Sequence, residues 1–252
     1  MIIKQPEKKD SEMSDTNLKK LFKDTQDFQN IFEIEVPPEM DERIKTGVDF
    51  IDEIFGEGLV PGTVTLFTGA AGGGKTTLCL QMINALSKQN IVCCLNSSEE
   101  HVSQIKKTVD RLGLEHPFFV SNSNNIDSVL RQAKENKVKV LIIDSIQTIG
   151  SGKFEAGGYK TTKDVVRKVI QFTKQNFIIS ILIGHVNKGG KFSGSNSLKH
   201  MTDAHLHLGL CTNPNCLTCD VGTRIINLEK FRFGSANQPQ NLFLFPNGFK
   251  RI

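Results

Sequence analysis

The segment GAAGGGKTT at residues 69–77 constrains the fold of this chain more than any other stretch. It follows the apolar run TVTLFTG at 63–69 and precedes residues 75–89, whose pattern predicts a helix. The order Gly-x₄-Gly-Lys-Thr is the full phosphate-binding loop pattern, in the strand–loop–helix setting that such a loop requires. The segment therefore predicts a buried strand that leads through a glycine loop into a helix.

Each residue type in the loop has a physical role. Glycines let successive backbone N–H groups turn inward around phosphate groups, and the helix N-terminus adds the positive end of its dipole. Lys75 is expected to reach the β- and γ-phosphates, and the Thr76 hydroxyl to ligate Mg²⁺. The pattern predicts ATP and Mg²⁺ as cofactors, with these nucleotide-binding residues: Gly69, Ala70, Ala71, Gly72, Gly73, Gly74, Lys75, Thr76 and Thr77.

Acidic residues at two other positions are placed to complete this site. Asp144 lies near the end of the apolar run VKVLIIDS at 138–145. An aspartate at a strand end most often caps the turn that follows, but beside a phosphate-binding loop a role in holding Mg²⁺ is favoured. Hydrolysis also needs a group that orients or deprotonates water, and SSEE offers Glu99 and Glu100 after the strand at 91–96.

Strands and helices alternate from about residue 45, which predicts an α/β domain with a mainly parallel sheet flanked by helices. The closing segments AHLHLGL, TRIINLEKF and QNLFLF follow one another without helices, so the sheet is expected to finish in antiparallel hairpins. The remaining predicted strand is 177–185, and the remaining predicted helices are 99–113, 126–136 and 161–175.

The first 40 residues are predicted to form a separate, flexible arm. They carry six lysines and nine acidic residues, whereas residues 41–252, the predicted ATPase domain, have a net charge of +7. A basic domain is mild support for a polyanionic partner. An amphipathic helix is expected over residues 17–32, which either packs on its own domain or contacts a neighbouring copy.

Several segments together resemble the RecA-type ATPase superfamily and, within it, the bacterial RadA (Sms) family. The resemblance extends from about residue 44 to the C-terminus. Its segments are IKTGVDFIDEIFGEGLVPG, the glycine loop, SSEEHVSQIKKTVDRLGL, VLIIDSIQTI, IGHVNKGG, LKHMTDAHLHL and KFRFG. The RadA family usually carries a four-cysteine zinc module before this domain and a Lon-like domain after it; residues 1–40 contain no cysteine, and both modules are expected to be missing.

The resemblance implies roles for individual residues. Glu99 corresponds to the family's catalytic glutamate, and Asp144 to its Walker B aspartate. His185 occupies the position of a polar residue that senses the γ-phosphate; the alternative is an ordinary histidine at a strand end.

The motif KFRFG carries Lys230 and Arg232 on one side of its strand. The resemblance implies that both act as catalytic cations, reaching across a subunit interface to the neighbour's triphosphate. The alternative is a strand with a solvated charged face. Phe231 departs from the family, which has Asn there, and this change is expected to leave the cations in place.

Two loops have the composition of single-strand-binding loops, since lysines can neutralise phosphates and aromatic rings can stack on bases. They are residues 150–164 and 187–200. A basic loop is by itself most often only solvated, but a RecA-like domain favours contact with DNA. The predicted nucleic-acid-binding residues are Lys153, Phe154, Tyr159, Lys160, Lys188, Lys191, Phe192 and Lys199.

A cysteine cluster, Cys211, Cys216 and Cys219, lies between two predicted strands. Its spacing allows a structural zinc site, with His205, His207 or a residue of another copy as fourth ligand. The alternative is a hairpin tip with free thiols.

These observations predict an oligomeric, Mg²⁺-dependent ATP hydrolase that moves along or remodels single-stranded DNA, with a hexameric ring favoured over a filament. The alternatives are a motor like the DnaB-type replicative helicases and a KaiC-like, nucleotide-switched assembly module that does not bind DNA. No apolar run is long enough to span a bilayer and no secretory signal is evident, so a soluble, cytoplasmic protein without a membrane partner is expected.

Overall fold

The computed structural model describes residues 30–40, 42–185, 196–210, 222–236 and 238–252. By its internal contacts the chain divides into two units, residues 1–38 and 39–252. In the described part of the first unit, Ile31–Glu33 form a 3-10 turn in which Ile31 and Phe32 are exposed. The helix expected over residues 17–32 lies almost entirely outside the described residues.

The second unit contains alternating helices and strands. Its helices are α1 Asp49–Ile54, α2 Lys75–Lys88, α3 Val102–Leu112, α4 Ile126–Glu135, α5 Tyr159–Asn176 and α6 Asn196–Met201. Its strands are β1 Val64–Gly69, β2 Cys93–Ser97, β3 Phe119–Ser121, β4 Val140–Asp144, β5 Ile179–His185, β6 Ala204–Leu210, β7 Thr223–Phe231, β8 Gln240–Phe245 and β9 Gly248–Arg251.

The described strands form one sheet in the order β3-β2-β4-β5-β1-β6-β7-β8-β9. From β3 to β6 all neighbours are parallel, whereas β6 to β9 are joined as antiparallel pairs. The predicted fold class, a RecA-like α/β domain that finishes in antiparallel hairpins, is therefore confirmed. Because β1 is the central strand of the sheet and is parallel to both of its neighbours, the loop that follows it emerges where those neighbours also end, the usual position of a ligand site.

Side chains of alternate residues in the strands supply a separate hydrophobic core on each face of the sheet. Phe67 of β1 belongs to the core that contains Leu78 and Ile83 of α2. Leu66, its neighbour in the strand, belongs to the core that contains Val165 of α5. The glycine loop is thus fixed at both ends, by a strand that is buried on two faces and by a helix that packs on one of them.

Two interactions that the sequence did not predict hold elements close to the loop. The Gln81 amide of α2 accepts from the Phe249 N–H at 2.8 Å and donates to its carbonyl oxygen at 3.2 Å, which ties β9 to this helix. The helix predicted at residue 99 begins instead at Val102, because the His101 ring accepts from the Ser103 N–H and caps it. Glu99 consequently lies in a loop.

Among the described helices none is long and apolar enough to cross a membrane.

Candidate active site

The glycine loop between β1 and α2 uses backbone conformations that favour glycine. Gly72 and Gly74 have φ angles of 71° and 102°, in the left-handed region. A Cβ atom on Gly74 would stand 2.7 Å from the Phe249 ring, so a side chain there would clash as well. The Lys-Thr pair that follows begins the helix, and its backbone N–H groups are therefore among those without a partner in the helix.

Lys75 lies inside this loop and is 4% exposed. Its ammonium group donates to the carbonyl oxygens of Gly69 at 3.0 Å and Ala70 at 2.9 Å. Burial lowers the pKa of Lys75, while the nearby Asp144 and Glu99 carboxylates oppose that shift. The loop thus holds a cation that two carbonyl groups orient at its centre.

Thr76 and Asp144 meet beside the loop. The Thr76 hydroxyl donates to Asp144 Oδ2 at 2.6 Å, which joins the start of α2 to the end of β4. Burial raises the pKa of Asp144, and the bond from Thr76 opposes the rise. Oxygen atoms of this kind are the ligands that Mg²⁺ prefers. Donor atoms of Asp144, Glu99 and His185 also lie within 4.8 Å of one another, so the residues fit a small divalent cation.

Glu99 is held by hydrogen bonds on two sides. Nε2 of His185, the last residue of β5, lies 3.0 and 3.1 Å from its two carboxylate oxygens. The Ser145 hydroxyl donates to one of the same oxygens. The hydrogen bond with His185 is the main cause that lowers the pKa of Glu99. Glu99 is therefore an ionised, oriented carboxylate at neutral pH, as a group that accepts a proton from water must be.

Glu100 faces the same pocket in a different electrostatic environment. Burial raises its pKa, and the charges of Asp144 and Glu99 add to the rise. The pocket is lined by Ala71, Gly72, Gly73, Gly74, Lys75, Thr76, Thr77, Glu99, Glu100, Asp144 and His185, so the structure brings together the predicted nucleotide-binding and acidic residues, apart from Gly69 and Ala70, which contact Lys75 through their carbonyl oxygens.

The pocket has three lining residues that the sequence did not single out: Thr108, Arg111 and Leu244. Arg224 of β7 also approaches the loop, donating from Nε to the Gly73 carbonyl oxygen at 3.3 Å. No sequence motif marks these positions. They lie at the pocket because the order of strands in the sheet brings α3 and the last strands next to the glycine loop.

A second polar cluster lies next to β1. The Thr68 hydroxyl is 2.8 Å from His205 Nε2 and 2.9 Å from His207 Nδ1, and His205 Nδ1 is 2.8 Å from Glu229. Burial is the main cause that lowers the pKa of His205 to about 4 and lowers that of His207. Both rings are therefore neutral at pH 7, and His205 donates from Nδ1 to Glu229, which Lys199 also contacts at 3.2 Å.

The two cations of KFRFG lie together, as the alternation predicted, and both contact the end of α6. Lys230 donates to the carbonyl oxygens of Lys199 at 2.9 Å and His200 at 3.2 Å, and also to that of Thr202. Arg232 is 47% exposed and contacts the His200 carbonyl oxygen at 3.3 Å and the buried Asp203 carboxylate at 3.1 Å. The two side chains thus hold the turn between α6 and β6.

Sheet register places these cations far from the loop of the same chain. Lys230 lies opposite His205 in β6, and Ala204 of β6 lies beside Thr65 in β1. The cations are therefore at the edge where β1 begins, whereas the glycine loop follows its other end. At about 3.3 Å per residue, the five residues Thr65–Gly69 separate them by roughly 15 Å.

Phe231 occupies a site of its own on the opposite side of the strand. Its ring packs edge-on against Phe55 with centroids 5.4 Å apart, and the Arg43 guanidinium lies 5.7 Å from its centroid. Arg43 in turn donates to the carbonyl oxygens of Phe55 and Phe233. Where the RadA family has Asn, this chain thus has an apolar contact that leaves Lys230 in place.

The predicted DNA-binding residues fall into separate groups. Lys153 and Phe154 lie in the loop before α5, whereas Lys160 belongs to the first turn of that helix, with its ammonium 4.9 Å from the Phe154 ring centroid. The Tyr159 hydroxyl contacts Ser197 instead, and Lys199 pairs with Glu229. Lys188, Lys191 and Phe192 lie outside the described residues.

The proposed zinc ligands Cys211, Cys216 and Cys219 also lie outside the described residues. Of the two histidines named as a fourth ligand, His205 has both ring nitrogens in hydrogen bonds and is 1% exposed. Only His207 has a ring nitrogen for which no contact is seen among the described residues.

Comparison with known proteins agrees with this geometry. Residues 44–124 match the family described as ATPase: KaiC. The chain is 31% identical over 212 residues to the DNA repair protein RadA of Mycobacterium tuberculosis, which covers 82% of this chain and 43% of that protein. It is 34% identical over 199 residues to the DNA repair protein RadA of Streptococcus pneumoniae, covering 78% and 46%. The chain thus spans less than half the length of these relatives.

Among solved structures, a KaiC-like protein from Pyrococcus horikoshii superposes with a TM-score of 0.68. The match covers 84% of this chain and 99% of that protein, at 22% sequence identity. At this identity the similarity shows the fold alone.

Proposed function

Since the chain carries a RecA-type ATPase domain related to the bacterial RadA proteins, we propose that it hydrolyses ATP with Mg²⁺ as a DNA-dependent oligomeric motor or remodeller. The observation that carries the proposal is the convergence of Lys75, Thr76, Glu99 and Asp144 on one pocket at the end of β1. These four residues come from three different strand ends. Their meeting supplies a phosphate cradle, a cation site and an ionised acid in one place.

In this proposal each residue has a distinct task in hydrolysis. Lys75 binds the β- and γ-phosphates, and the backbone N–H groups of the loop orient them. Thr76 and Asp144 would hold Mg²⁺, which when bound neutralises charge on those phosphates. Glu99 orients the attacking water and accepts its proton; its lowered pKa keeps it ionised, and Ser145 and His185 fix the direction of its carboxylate.

His185 is proposed to respond to the γ-phosphate. Its Nε2 contacts Glu99, while its Nδ1 is buried without a hydrogen-bond partner among the described residues. Such a group is costly to leave unsatisfied, which supports a ligand or a rearrangement at this position during the cycle.

We propose that Arg232 acts on the neighbour's triphosphate, and that Lys230, which the sequence also predicted to act there, instead holds the strand in place. Roughly 15 Å separates them from their own loop. Lys230 contacts three carbonyl oxygens, so its donors are taken up by its own chain. Arg232 has five N–H donors and is 47% exposed, so it is better suited than Lys230 to contact a phosphate of the neighbour. Lys230 holds the end of the strand in place.

An oligomer that shares active sites must be assembled head to tail, and a hexameric ring is our choice over a filament.

Lys153 and Phe154, together with Lys160 at the start of α5, are proposed to bind single-stranded DNA by charge and stacking, largely without regard to sequence. The names of the RadA relatives support a role on DNA. A motor like the DnaB-type helicases is a variant of this proposal.

A KaiC-like assembly module is the second candidate, and the match of residues 44–124 to the KaiC family favours it. The two candidates differ in whether DNA is bound. The test is ATP turnover with and without single-stranded DNA at several salt concentrations, with Lys75→Ala as the inactive control. The motor proposal predicts stimulation by DNA that declines as salt rises. If DNA does not change ATP turnover at low salt, the motor proposal is contradicted and the KaiC-like candidate is favoured.

A further inference from the structure

A polar cleft lies at the edge of the sheet where the parallel strands end, between the loop after β3 and the loop after β4. Its walls include Asn124, Asn125, Thr148, Ser151 and Phe154. It is separate from the nucleotide pocket, with which it shares no lining residue. Nothing in the nucleotide chemistry proposed above uses it.

Backbone hydrogen bonds form this cleft in advance. The Gly150 N–H donates to the Asn124 carbonyl oxygen at 2.8 Å, and the Ile126 N–H donates to the Gly150 carbonyl oxygen at 3.0 Å. Ser151 and Phe154 exchange two backbone hydrogen bonds of 2.9 Å. The first predicted DNA loop is thus a closed turn where it lines the cleft, so a ligand there would meet preplaced groups.

The hydroxyl of Ser151 is evidence that the cleft binds a ligand. The residue is 8% exposed, and its side-chain Oγ has no hydrogen-bond partner among the described residues. A buried hydroxyl without a partner costs free energy that a bound hydrogen-bonding group would recover.

The surroundings of Ser151 favour a nucleobase over a phosphate. Phe154 brings an aromatic ring to the wall, and Lys160 lies 4.9 Å from the centroid of that ring. The cleft is lined by one cation and one acid, Lys153 and Glu155, so its wall has no net charge that would favour an anion. A flat group with a polar edge fits such a cleft, since a base can stack on an aromatic ring and hydrogen-bond along its edge.

Hydroxyl groups connect the cleft to Glu99. Thr148 Oγ1, in the cleft wall, lies 2.7 Å from Ser98 Oγ and 3.3 Å from Ser145 Oγ, and it donates to the Ser145 carbonyl oxygen at 3.2 Å. Ser145 in turn donates to Glu99. Each hydroxyl has one proton. If a base accepts the proton of Thr148, the Ser145 carbonyl oxygen loses that donor and Ser145 can shift relative to Glu99.

We propose that this cleft takes one unstacked nucleobase of a bound single strand, and that Thr148 and Ser145 transmit its presence to Glu99. Binding of the base shifts Ser145 and thereby changes how its hydroxyl orients Glu99 towards the attacking water. Thr148 is a positioning residue in this scheme, since it acts on Glu99 through Ser145. The proposal rests on the proposed DNA-dependent ATPase and assigns its stimulation to bases rather than to backbone charge.

The first test compares a thymidine homopolymer with an abasic strand of the same length, which has the same charge and no bases. We expect wild type to bind the abasic strand roughly tenfold more weakly, the scale of one stacked base, and to hydrolyse ATP faster only with the homopolymer. Phe154→Leu should lose this preference, and Phe154→Tyr should keep it because it keeps the ring. Lys153→Ala should weaken binding of both strands equally.

The second test separates transmission from binding. Thr148→Val is nearly isosteric and removes the hydroxyl, so it should bind the homopolymer a few-fold more weakly, through the loss of one hydrogen bond, and show no stimulation even when the DNA is saturating. Thr148→Ser should restore it. Stimulation retained in Thr148→Val would overturn the transmission through Thr148.

The outcomes distinguish this proposal from the one on which it rests. Equal binding and equal stimulation by the two strands would overturn the nucleobase site while leaving DNA binding intact. A phosphate ligand in the cleft predicts that same equality. Binding of neither strand at low salt would contradict the proposed function itself.

Discussion

Glu99 and Glu100 are adjacent in sequence and line the same pocket, yet their surroundings give them opposite properties. Hydrogen bonds, chiefly that with His185, lower the pKa of Glu99, whereas burial raises that of Glu100. Only Glu99 is therefore held as an oriented carboxylate.

We expect Glu99→Gln to lower turnover by roughly 10²- to 10⁴-fold, the usual contribution of a general base, while ATP still binds. Glu100→Gln is the matched control and should change turnover only slightly. Steady-state hydrolysis and fluorescent-nucleotide titration would measure both. A comparable loss in both variants would contradict the assignment of the base to Glu99.

His205 has a folded-state pKa of about 4 against an ordinary value of 6.5, mainly because it is buried. The unfolded chain consequently binds more protons than the folded chain between these values. Stability from this residue is present above pH 6.5 and is lost as the pH falls toward 4. The shift corresponds to a free energy of the order of 3 kcal/mol.

The double variant His205→Val, Glu229→Val should therefore show a flatter decline in the free energy of unfolding between pH 6.5 and 4 than wild type. Replacing both partners by apolar groups leaves no buried charge behind. Urea denaturation at several pH values would measure the slope. An unchanged slope would show that the ring is protonated or its partners are arranged differently.

At the scale of residues, the sequence correctly predicted that Lys75, Thr76 and Asp144 meet at one end of the sheet, because all three belong to local patterns. It did not predict that Phe231 packs on Phe55 and Arg43, since that contact joins segments almost 180 residues apart. The histidine network around Thr68 was missed for the same reason.

At the scale of elements, two cations on one side of the chain at the end of β7 have different tasks. Lys230 holds the end of α6 through carbonyl oxygens, and Arg232 is half exposed beside the buried Asp203. A cation near the last carbonyl groups of a helix also interacts favourably with its dipole.

We expect Lys230→Met to lower the melting temperature, because carbonyl oxygens of residues 199, 200 and 202 lose their donor. Arg232→Lys keeps a charge near Asp203 but not the planar fork, so it should stay close to wild type in stability and lose most turnover. Thermal unfolding and ATPase assays of both variants would test this division. Full turnover in Arg232→Lys would remove Arg232 from the active site.

Elements were predicted best where apolar runs mark them. The predicted strands 63–69 and 177–185 differ from β1 and β5 by at most two residues at either end. β3 was missed because it has only three residues and lies at the end of the sheet, where Phe119 and Val120 are exposed. β9 was missed as well, since its four residues pair only with β8 and are tied to Gln81 by an amide.

At the scale of the whole molecule, the active site described above is incomplete in a single chain. The pocket at the end of β1 contains the phosphate cradle and the acids, while Arg232 lies at the opposite edge of the sheet. Sequence pattern could predict the two halves but not their separation, which follows from the antiparallel direction of β7. The central claim is that a neighbouring copy completes each site.

Mixing two inactive variants tests this claim most directly. Lys75→Ala cannot bind phosphate but supplies Arg232, and Arg232→Ala has the opposite defect. In an equimolar mixture, about a quarter of the head-to-tail interfaces would combine an intact pocket with an intact arginine. We predict that ATP turnover reappears at about that fraction of wild type. A mixture as inactive as either variant alone would contradict shared active sites.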